Sequence, residues 1–560
     1  MDLNFIGAEA TEAERAAISA AVPAALEDRV PGRVVRLKRS MRHHLLPALE
    51  AVQSEVGWIS PGAIDQIARH LQIPPAEIYS VATFYALLST EPRPGAVAHV
   101  CDDIACGPSL ISALGERDDV VPSPCLGQCD RGPAALIQRA GATDSIVTGA
   151  DPAAIEAALQ GDDPPAPAPH VDAGPLLRRV GNVDPGSLED YRQDGGYQAL
   201  GRALEMGPEA VISELVDSNL RGRGGAAFPT GLKWQGAARE SGPRYVICNA
   251  DESEPGTFKD RVVMEGDPFS VIEALTIAGV TVGAEQGYIY IRGEYPAAAS
   301  RLGEAMEVAR TAGLLGESVM GSDHRFEIEL RRGQGAYICG EETALFASIE
   351  GYRGEPRQKP PFPTTAGLFG RPTVINNVET LVNVLPIITE GAGAYKQTGT
   401  ADSPGTRLFC VSGNVRRPGV YERAGGVTLG SVIRDAGGDL SGVPYVLLGG
   451  AAGSLVGPDM WDLPLTFEDS RAAGVTLGSG VIMAFSPDTD MAAIVRRIAR
   501  FFRDESCGQC VPCRVGTARI EEAVARANGS IEGDLIDEVD RAMRDASICG
   551  LGQTAAIVVR

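Results

Sequence analysis

Eight of the eleven cysteines fall in two short windows, and their spacing limits what the chain can build around them. Cys101, Cys106, Cys125 and Cys129 read C-x4-C followed by C-x3-C. Cys507, Cys510 and Cys513 read C-x2-C-x2-C, and the next cysteine along is Cys549. Cys248, Cys339 and Cys410 stand alone. The opening stretch "MDLNFIGAEATEAERAA" lacks the charged-then-apolar order of an export signal. We therefore expect a cytoplasmic protein, one that meets the inner face of a membrane only through a complex. In that setting clustered thiols read as metal ligands before disulfide halves.

The gaps of the first quartet differ from the paired C-x2-C of structural zinc. "CDDIACG" follows a strand pattern, and "PCLGQCDRGP" is a Gly- and Pro-flanked loop whose backbone N–H groups are free to reach cluster sulfurs. A [2Fe–2S] cluster fits best, with zinc and reduced structural cysteines as alternatives. "ESCGQCVPCR" supplies three ligands of a cubane but no fourth nearby. A helical hairpin over "RIEEAVARANGSIEGDLIDEVDRAMRDA", broken at "NGS", returns Cys549 in "ASICGLGQ" to the same place. A [4Fe–4S] cluster on these four is expected, with zinc or a redox dithiol as alternatives.

Periodicity divides the 560 residues. Residues 1–92 carry apolar positions at three- and four-residue spacing with Pro at helix starts. Residues 93–160 read as a small α/β domain: strands in "GAVAHVCDD", "PAALIQ" and "DSIVTG", then a helix in "DPAAIEAALQ" with an Asp cap. The Pro/Ala-rich "GDDPPAPAPHVDAGP" (161–175) is a linker. A Gly-rich α/β region spans 176–400, a compact sheet with a short helix spans 401–488, and a helical region spans 489–560.

Between the quartets, "LRGRGGAAFPTGLKWQ" suits a phosphate cradle: Gly222, Gly224 and Gly225 allow close backbone approach, and Arg223 and Lys233 bring positive charge. Formally Gly222, Gly224 and Ala227 match G-x-G-x-x-G/A, but "AVISELVDSNL" upstream reads as a helix where a dinucleotide loop needs a strand. "YVICNADESEPGTFKDR" gathers Asn249, Asp251, Glu252 and Glu254 after a strand. "GAYICGEETALFASIEG" opens a helix with Gly340, Glu341 and Glu342, and "PRQKPPFPTTAGLFGRPTVINNVETL" holds Lys359, Phe362, Asn376 and Asn377. Carboxylates in such loops bind ribose hydroxyls, paired Asn bind polar ring edges, and aromatics stack. Each segment alone is equally a solvated loop or a cap; four together between two cluster sites argue for an organic cofactor.

These strings carry a resemblance. "RGRGGAAFPTGLKW", "CNADESEPGTFKDR", "GAYICGEETAL", "INNVETL", "ESCGQCVPC" and "SICGLGQ" make residues 176–560 similar to the NADH-binding flavoprotein subunit of respiratory complex I and its relatives in NAD-dependent formate dehydrogenases and NAD-reducing hydrogenases. Residues 1–160 resemble the small thioredoxin-like [2Fe–2S] subunit of the same complexes, through "ATFYALL" and the first quartet. The implied architecture is α/β multidomain: N-terminal helices, a thioredoxin-like [2Fe–2S] domain, a Rossmann-like FMN and NADH domain, a ubiquitin-like sheet domain of the soluble-ligand-binding type, and a helical [4Fe–4S] domain. The resemblance implies FMN at Gly222, Arg223, Gly224, Gly225, Lys233, Asn249, Asp251, Glu252, Gly340, Glu341, Asn376, Asn377 and Thr380. It implies NADH against Phe228, Glu254, Tyr337, Glu342, Lys359 and Phe362. Two positions depart from the family: Ala227 stands where Gly is usual, and Gly236 where an aromatic is often found, removing one stacking contact.

The implied function is a diaphorase: NADH passes a hydride to FMN, and single electrons leave through the clusters to an iron–sulfur partner subunit. No side chain is needed as general acid or base. The expected setting is the β subunit of an NAD-dependent formate dehydrogenase; the alternatives are the fused NADH-dehydrogenase module of complex I and the diaphorase subunit of an NAD-reducing hydrogenase. A degenerate scaffold that keeps the fold and binds partners is the reading from another class. The formal charge of −23 argues against nucleic acid and anionic membrane as partners, and no apolar run reaches the ~20 residues of a bilayer span.

Overall fold

The computed structural model describes residues 5–22, 41–527 and 533–560. The proposed hairpin break at "NGS" (528–530) lies outside these residues.

The Gly-rich region is organised by one four-stranded sheet, all parallel, in the order β8-β7-β6-β9: β6 is Tyr245–Ala250, β7 Gln286–Ile291, β8 Glu327–Arg332 and β9 Thr373–Asn377. Parallel strands require helical crossovers, and the helix Pro268–Val282 is the deepest, with all fifteen residues buried. Its sequence, PFSVIEALTIAGVTV, is apolar all round, starts with Pro at N1 and stops at Gly283 in the left-handed conformation. Open parallel sheets bind ligands beyond the carboxyl ends of their strands. Here that rim holds Asn249 and Asn377, which the β6–β9 register sets side by side.

Before it, β1 (Ala96–Cys101), β2 (Val120–Ser123), β3 (Ala134–Arg139) and β4 (Ser145–Thr148) form a second sheet in the order β2-β1-β3-β4. The helix Pro152–Leu159 packs on it, capped by Asp151, whose carboxylate accepts from Ala154 N–H. The third sheet has the order β13-β12-β14-β10-β11-β5, with β10 Thr406–Gly413, β11 Gly419–Ala424, β12 Tyr445–Leu448, β13 Ser454–Val456 and β14 Val481–Phe485. Its last edge strand, β5 (Val171–Asp172), comes from the expected linker and pairs in parallel with Val420 and Tyr421. That segment is docked: Glu422 accepts from the backbone N–H of Gly174, Leu176 and Leu177 at 2.9–3.0 Å, and Arg139 pairs with Asp163 at 2.5 Å.

The N-terminal helices Leu45–Val56, Pro61–Leu71 and Pro75–Ala82 do not form a free-standing unit. They share one apolar cluster with Tyr290, Ile338 and Phe346 of the central domain and with Phe501, Phe502 and Ile520 of the C-terminal helices. Among the described residues no helix is long and apolar enough to cross a membrane.

Candidate functional site

The glycine loop lies between the helices Pro208–Asp217 and Thr230–Arg239, so the helix read upstream of it is present. A bridge between Arg221 and Pro229 closes the loop, and Gly222 N–H donates to Phe228 C=O at 2.9 Å. Gly225 has φ 110°, open only to glycine, and a Cβ on Gly224 would press on Asn377 Cβ at 3.1 Å. Ala227 sits at φ 54°, in the left-handed region the departure from Gly pointed to. The loop is thus a shallow cradle of exposed backbone directly over the ends of β6 and β9.

Lys233 lies on the helix that follows the loop and turns to the end of β9. Its ammonium donates to Ile375 C=O at 2.9 Å and lies 4.0 Å from Glu342. Burial pushes its pKa down, opposed by Glu342 and reinforced by Lys359. Lys359 in turn donates to Glu341 at 2.9 Å and Glu342 at 2.7 Å. Glu341 also caps the helix Glu342–Ile349, accepting from Thr343 and Ala344 N–H. Phe228 and Phe362 are 53% and 59% exposed, leaving two aromatic faces free to stack on a ring.

Asn249 donates to Gly340 C=O at 2.9 Å, joining the loops after β6 and β8. One carboxylate oxygen of Asp251 is buried and has no hydrogen-bond partner among the described residues. Burial raises its pKa to about 8, opposed by Arg292 and reinforced by Glu294. An unpartnered polar atom beside a glycine cradle and paired amides fits the polar edge of a flavin. Thr380 Oγ1 accepts from Arg223 N–H at 2.8 Å, fixing the loop to the helix after β9.

Several expected ligand residues also make contacts inside the fold. Arg223 was expected to offer charge to a phosphate; its guanidinium is buried and donates to Pro404 C=O at 2.9 Å, leaving Lys233 as the cradle's cation. Glu252 caps the helix Lys259–Gly266, accepting from Asp260 and Arg261 N–H at 3.0 Å each. Asn376 Oδ1 accepts from the indole of Trp234 at 2.9 Å, and Asn377 donates to Asp260 at 2.6 Å. Glu254 accepts from Tyr337 OH at 3.0 Å and Ala452 N–H at 2.7 Å. Tyr337 packs against Phe501 with ring centroids 5.0 Å apart and donates its N–H to Glu505, so it stands between the cleft and the C-terminal helices. A Cβ on Gly236 would meet Thr364 at 3.6 Å, an ordinary contact.

Both cysteine quartets converge. Cys125 and Cys129 sulfurs are 3.4 Å apart, Gly127 N–H points at Cys125 Sγ at 3.4 Å, and the neighbouring Cys106 and Cys125 push the Cys101 thiol up. Cys507, Cys510, Cys513 and Cys549 line one small cavity closed by Ile338, Pro356 and Leu551. Burial pushes the Cys513 thiol up to about 12 and the Cys549 thiol up to about 11.

Family models match four stretches: a thioredoxin-like [2Fe–2S] ferredoxin over residues 33–113, the Nuo51 FMN-binding domain over 215–386, an SLBB domain over 408–442, and the NADH-ubiquinone oxidoreductase-F iron–sulfur binding region over 493–560. The F subunit of the NADH-quinone oxidoreductase of Aquifex aeolicus is 45% identical over 390 residues, 69% of this chain and 91% of that protein. The chain belongs to the family of NADH-quinone oxidoreductase F subunits. The NADP-reducing hydrogenase subunit HndC of Solidesulfovibrio fructosivorans is 42% identical, covering 67% of this chain and 78% of that one. The crystal structure of an NAD+-reducing [NiFe]-hydrogenase in the H2-reduced state matches 92% of this chain and 90% of its own, with TM-score 0.80 and 35% identity. The protein is an NADH-oxidising enzyme module carrying FMN, a [2Fe–2S] and a [4Fe–4S] cluster, with the [2Fe–2S] domain fused to the flavoprotein.

The residues that lock these parts together escaped sequence reading. Arg261 is wholly buried and grips Asp130 with both oxygens, at 2.8 and 2.9 Å, from 131 positions away. Arg497 on the helix Met491–Asp504 reaches Asp102 at 3.0 Å and Asp103 at 3.2 Å. The one available signal was an arginine run on the polar face of that helix.

Proposed function

We propose that this chain is the diaphorase subunit of a multi-subunit redox enzyme and exchanges electrons between NAD(H) and an iron–sulfur partner. The observation that carries the reading is the convergence of the glycine cradle, Asn249 and Asn377 at the carboxyl ends of β6 and β9. When bound there, FMN accepts a hydride from NADH and releases single electrons, which the two clusters carry.

The chain's own part is placement. Gly224 and Gly225 let a phosphate approach the backbone, and Lys233 balances its charge. Asn249 and Asn377 present amides to a polar ring edge, and Asp251 offers the remaining partner. Phe228 and Phe362 flank a slot for the nicotinamide dinucleotide, while Lys359 and Glu342 stand at its polar end. Cys101, Cys106, Cys125 and Cys129 hold the [2Fe–2S] cluster; Cys507, Cys510, Cys513 and Cys549 hold the [4Fe–4S] cluster.

For the parent complex, we favour an NAD-coupled hydrogenase. A single chain of matching extent occurs in the solved [NiFe]-hydrogenase, and the similarity spans both modules. A complex I setting comes second, supported by the NADH-quinone oxidoreductase relatives. Both are better supported than the formate dehydrogenase setting expected from the sequence. Purification of the tagged chain with its partners, followed by absorbance and metal analysis, tests this. Flavin and iron with nickel are expected. Molybdenum, tungsten or quinone-reductase subunits in place of nickel would overturn the hydrogenase setting, and a colourless complex would overturn the diaphorase reading.

A further inference from the structure

Arg292 follows β7 at the sheet rim and is 2% exposed. One guanidinium nitrogen donates to Glu252 C=O in the flavin-side loop at 2.6 Å. The other donates to Cys125 C=O in the cysteine loop at 2.6 Å and to Glu294 Oε1 at 2.9 Å. Glu294 is 7% exposed, and its second oxygen has no hydrogen-bond partner among the described residues. A buried, permanently charged arginine and its carboxylate counter-ion therefore stand one peptide group from a cluster ligand, in a region where water screens little.

We propose that Arg292 is a positioning residue that clamps the [2Fe–2S] loop to the flavin loop, and that the Arg292–Glu294 pair sets the potential of that cluster. One-electron reduction adds a negative charge to the cluster. Arg292 stabilises that charge and Glu294 opposes it, so the two residues pull the reduction equilibrium in opposite directions. The loop has other anchors. Arg261 holds Asp130, and Tyr295 OH lies so close to Gly127 that no Cβ fits there. Loss of the Arg292 charge thus leaves the domains docked. The inference rests on Cys101, Cys106, Cys125 and Cys129 being the [2Fe–2S] ligands.

The test is a potentiometric titration of the full-length protein, following the electron paramagnetic resonance signal of the reduced [2Fe–2S] cluster. Arg292→Gln is expected to disfavour reduction at least tenfold, a fall of 59 mV for a one-electron couple. Glu294→Gln is expected to shift the midpoint upward, and Arg292→Lys to stay near the unmodified value. The [4Fe–4S] signal serves as internal control. A purely structural role would lower cluster occupancy in the variants without opposed shifts. Shifts of the same sign, or none, overturn the proposal. If Arg292→Gln loses its cluster, Glu294→Gln decides alone: an upward shift supports the proposal and an unmoved midpoint overturns it. Absence of any [2Fe–2S] signal in the unmodified protein would instead overturn the ligand assignment on which the proposal stands.

Discussion

Replacing Ala227 with glycine is expected to stabilise the flavin domain. Ala227 holds φ 54° in the glycine loop. That left-handed conformation costs an ordinary L-residue about 1–2 kcal/mol, because Cβ crowds the following carbonyl. Glycine removes the cost but loosens the unfolded chain by about 0.4–1 kcal/mol. Ala227 is half-buried, so the packing of its methyl offsets part of the gain. The net gain is about 0.5–1 kcal/mol, or roughly 1–4 °C for a domain of this size. Calorimetry of the FMN-loaded protein measures it on the flavin-domain transition. FMN affinity, followed by fluorescence quenching, is expected to stay constant, since the strain is equal with and without the ligand. A fall in the transition temperature would refute the reasoning, for it would mean that the methyl packs more strongly than the backbone is strained.

Four further outcomes follow from particular contacts. Cys549→Ala is expected to abolish the [4Fe–4S] resonance while FMN stays bound and NADH–ferricyanide activity survives; an intact cubane signal would show that the fourth ligand lies elsewhere. Asp130→Asn strands the buried Arg261 charge and should cost about 3–5 kcal/mol, read as a lower unfolding midpoint of the [2Fe–2S] unit. Phe362→Ala is expected to raise KM for NADH several-fold with little change in kcat, and an unchanged KM would remove Phe362 from the slot. Asp251 carries a folded-state pKa of about 8, raised first by burial and further by Glu294 and Glu505 against Arg292. An unfolded Asp titrates near 3.9, so the folded state holds the extra proton between about pH 4 and 8, and its stabilising contribution is lost as pH rises through that window. Asp251→Asn should flatten the fall in urea midpoint between pH 5 and pH 8; an equal fall in the variant would clear Asp251 of the effect.

What was legible in the sequence follows a physical divide. The strands β1, β3 and β4, the Asp151 cap and the amphipathic helix at Met491–Asp504 are local features, written in alternation, capping residues and 3.6-residue periodicity. The cysteine quartets were legible because thiol spacing is nearly unique to metal chemistry. β2, four residues containing a proline, gave no alternation to read. Arg223 and Glu252 show a different limit. Their residue types suit a phosphate or a flavin, but a buried arginine needs acceptors and a helix start needs an anion, and here the fold supplies both. Which need wins is settled by the tertiary neighbours, and for Arg223 the acceptor, Pro404, lies 181 positions along the chain.

The same divide explains why the Pro/Ala segment looked like a tether. Its composition cannot form a core, yet Val171 and Asp172 complete an edge of the third sheet by backbone pairing, which carries no sequence signature, and the Asp172 carboxylate pairs with Arg423 at 2.6 Å. Glu422 then ties down three backbone N–H groups of that segment from the neighbouring strand. Together with the Arg261–Asp130, Arg292–Cys125 and Arg497–Asp102 contacts, this holds the [2Fe–2S] loop from the flavin side and the [4Fe–4S] side at once. Fusion therefore does more than raise the local concentration of one module near another. It fixes the cluster loop against buried charges in a single geometry, and buried charges at fixed distance are what a redox potential responds to.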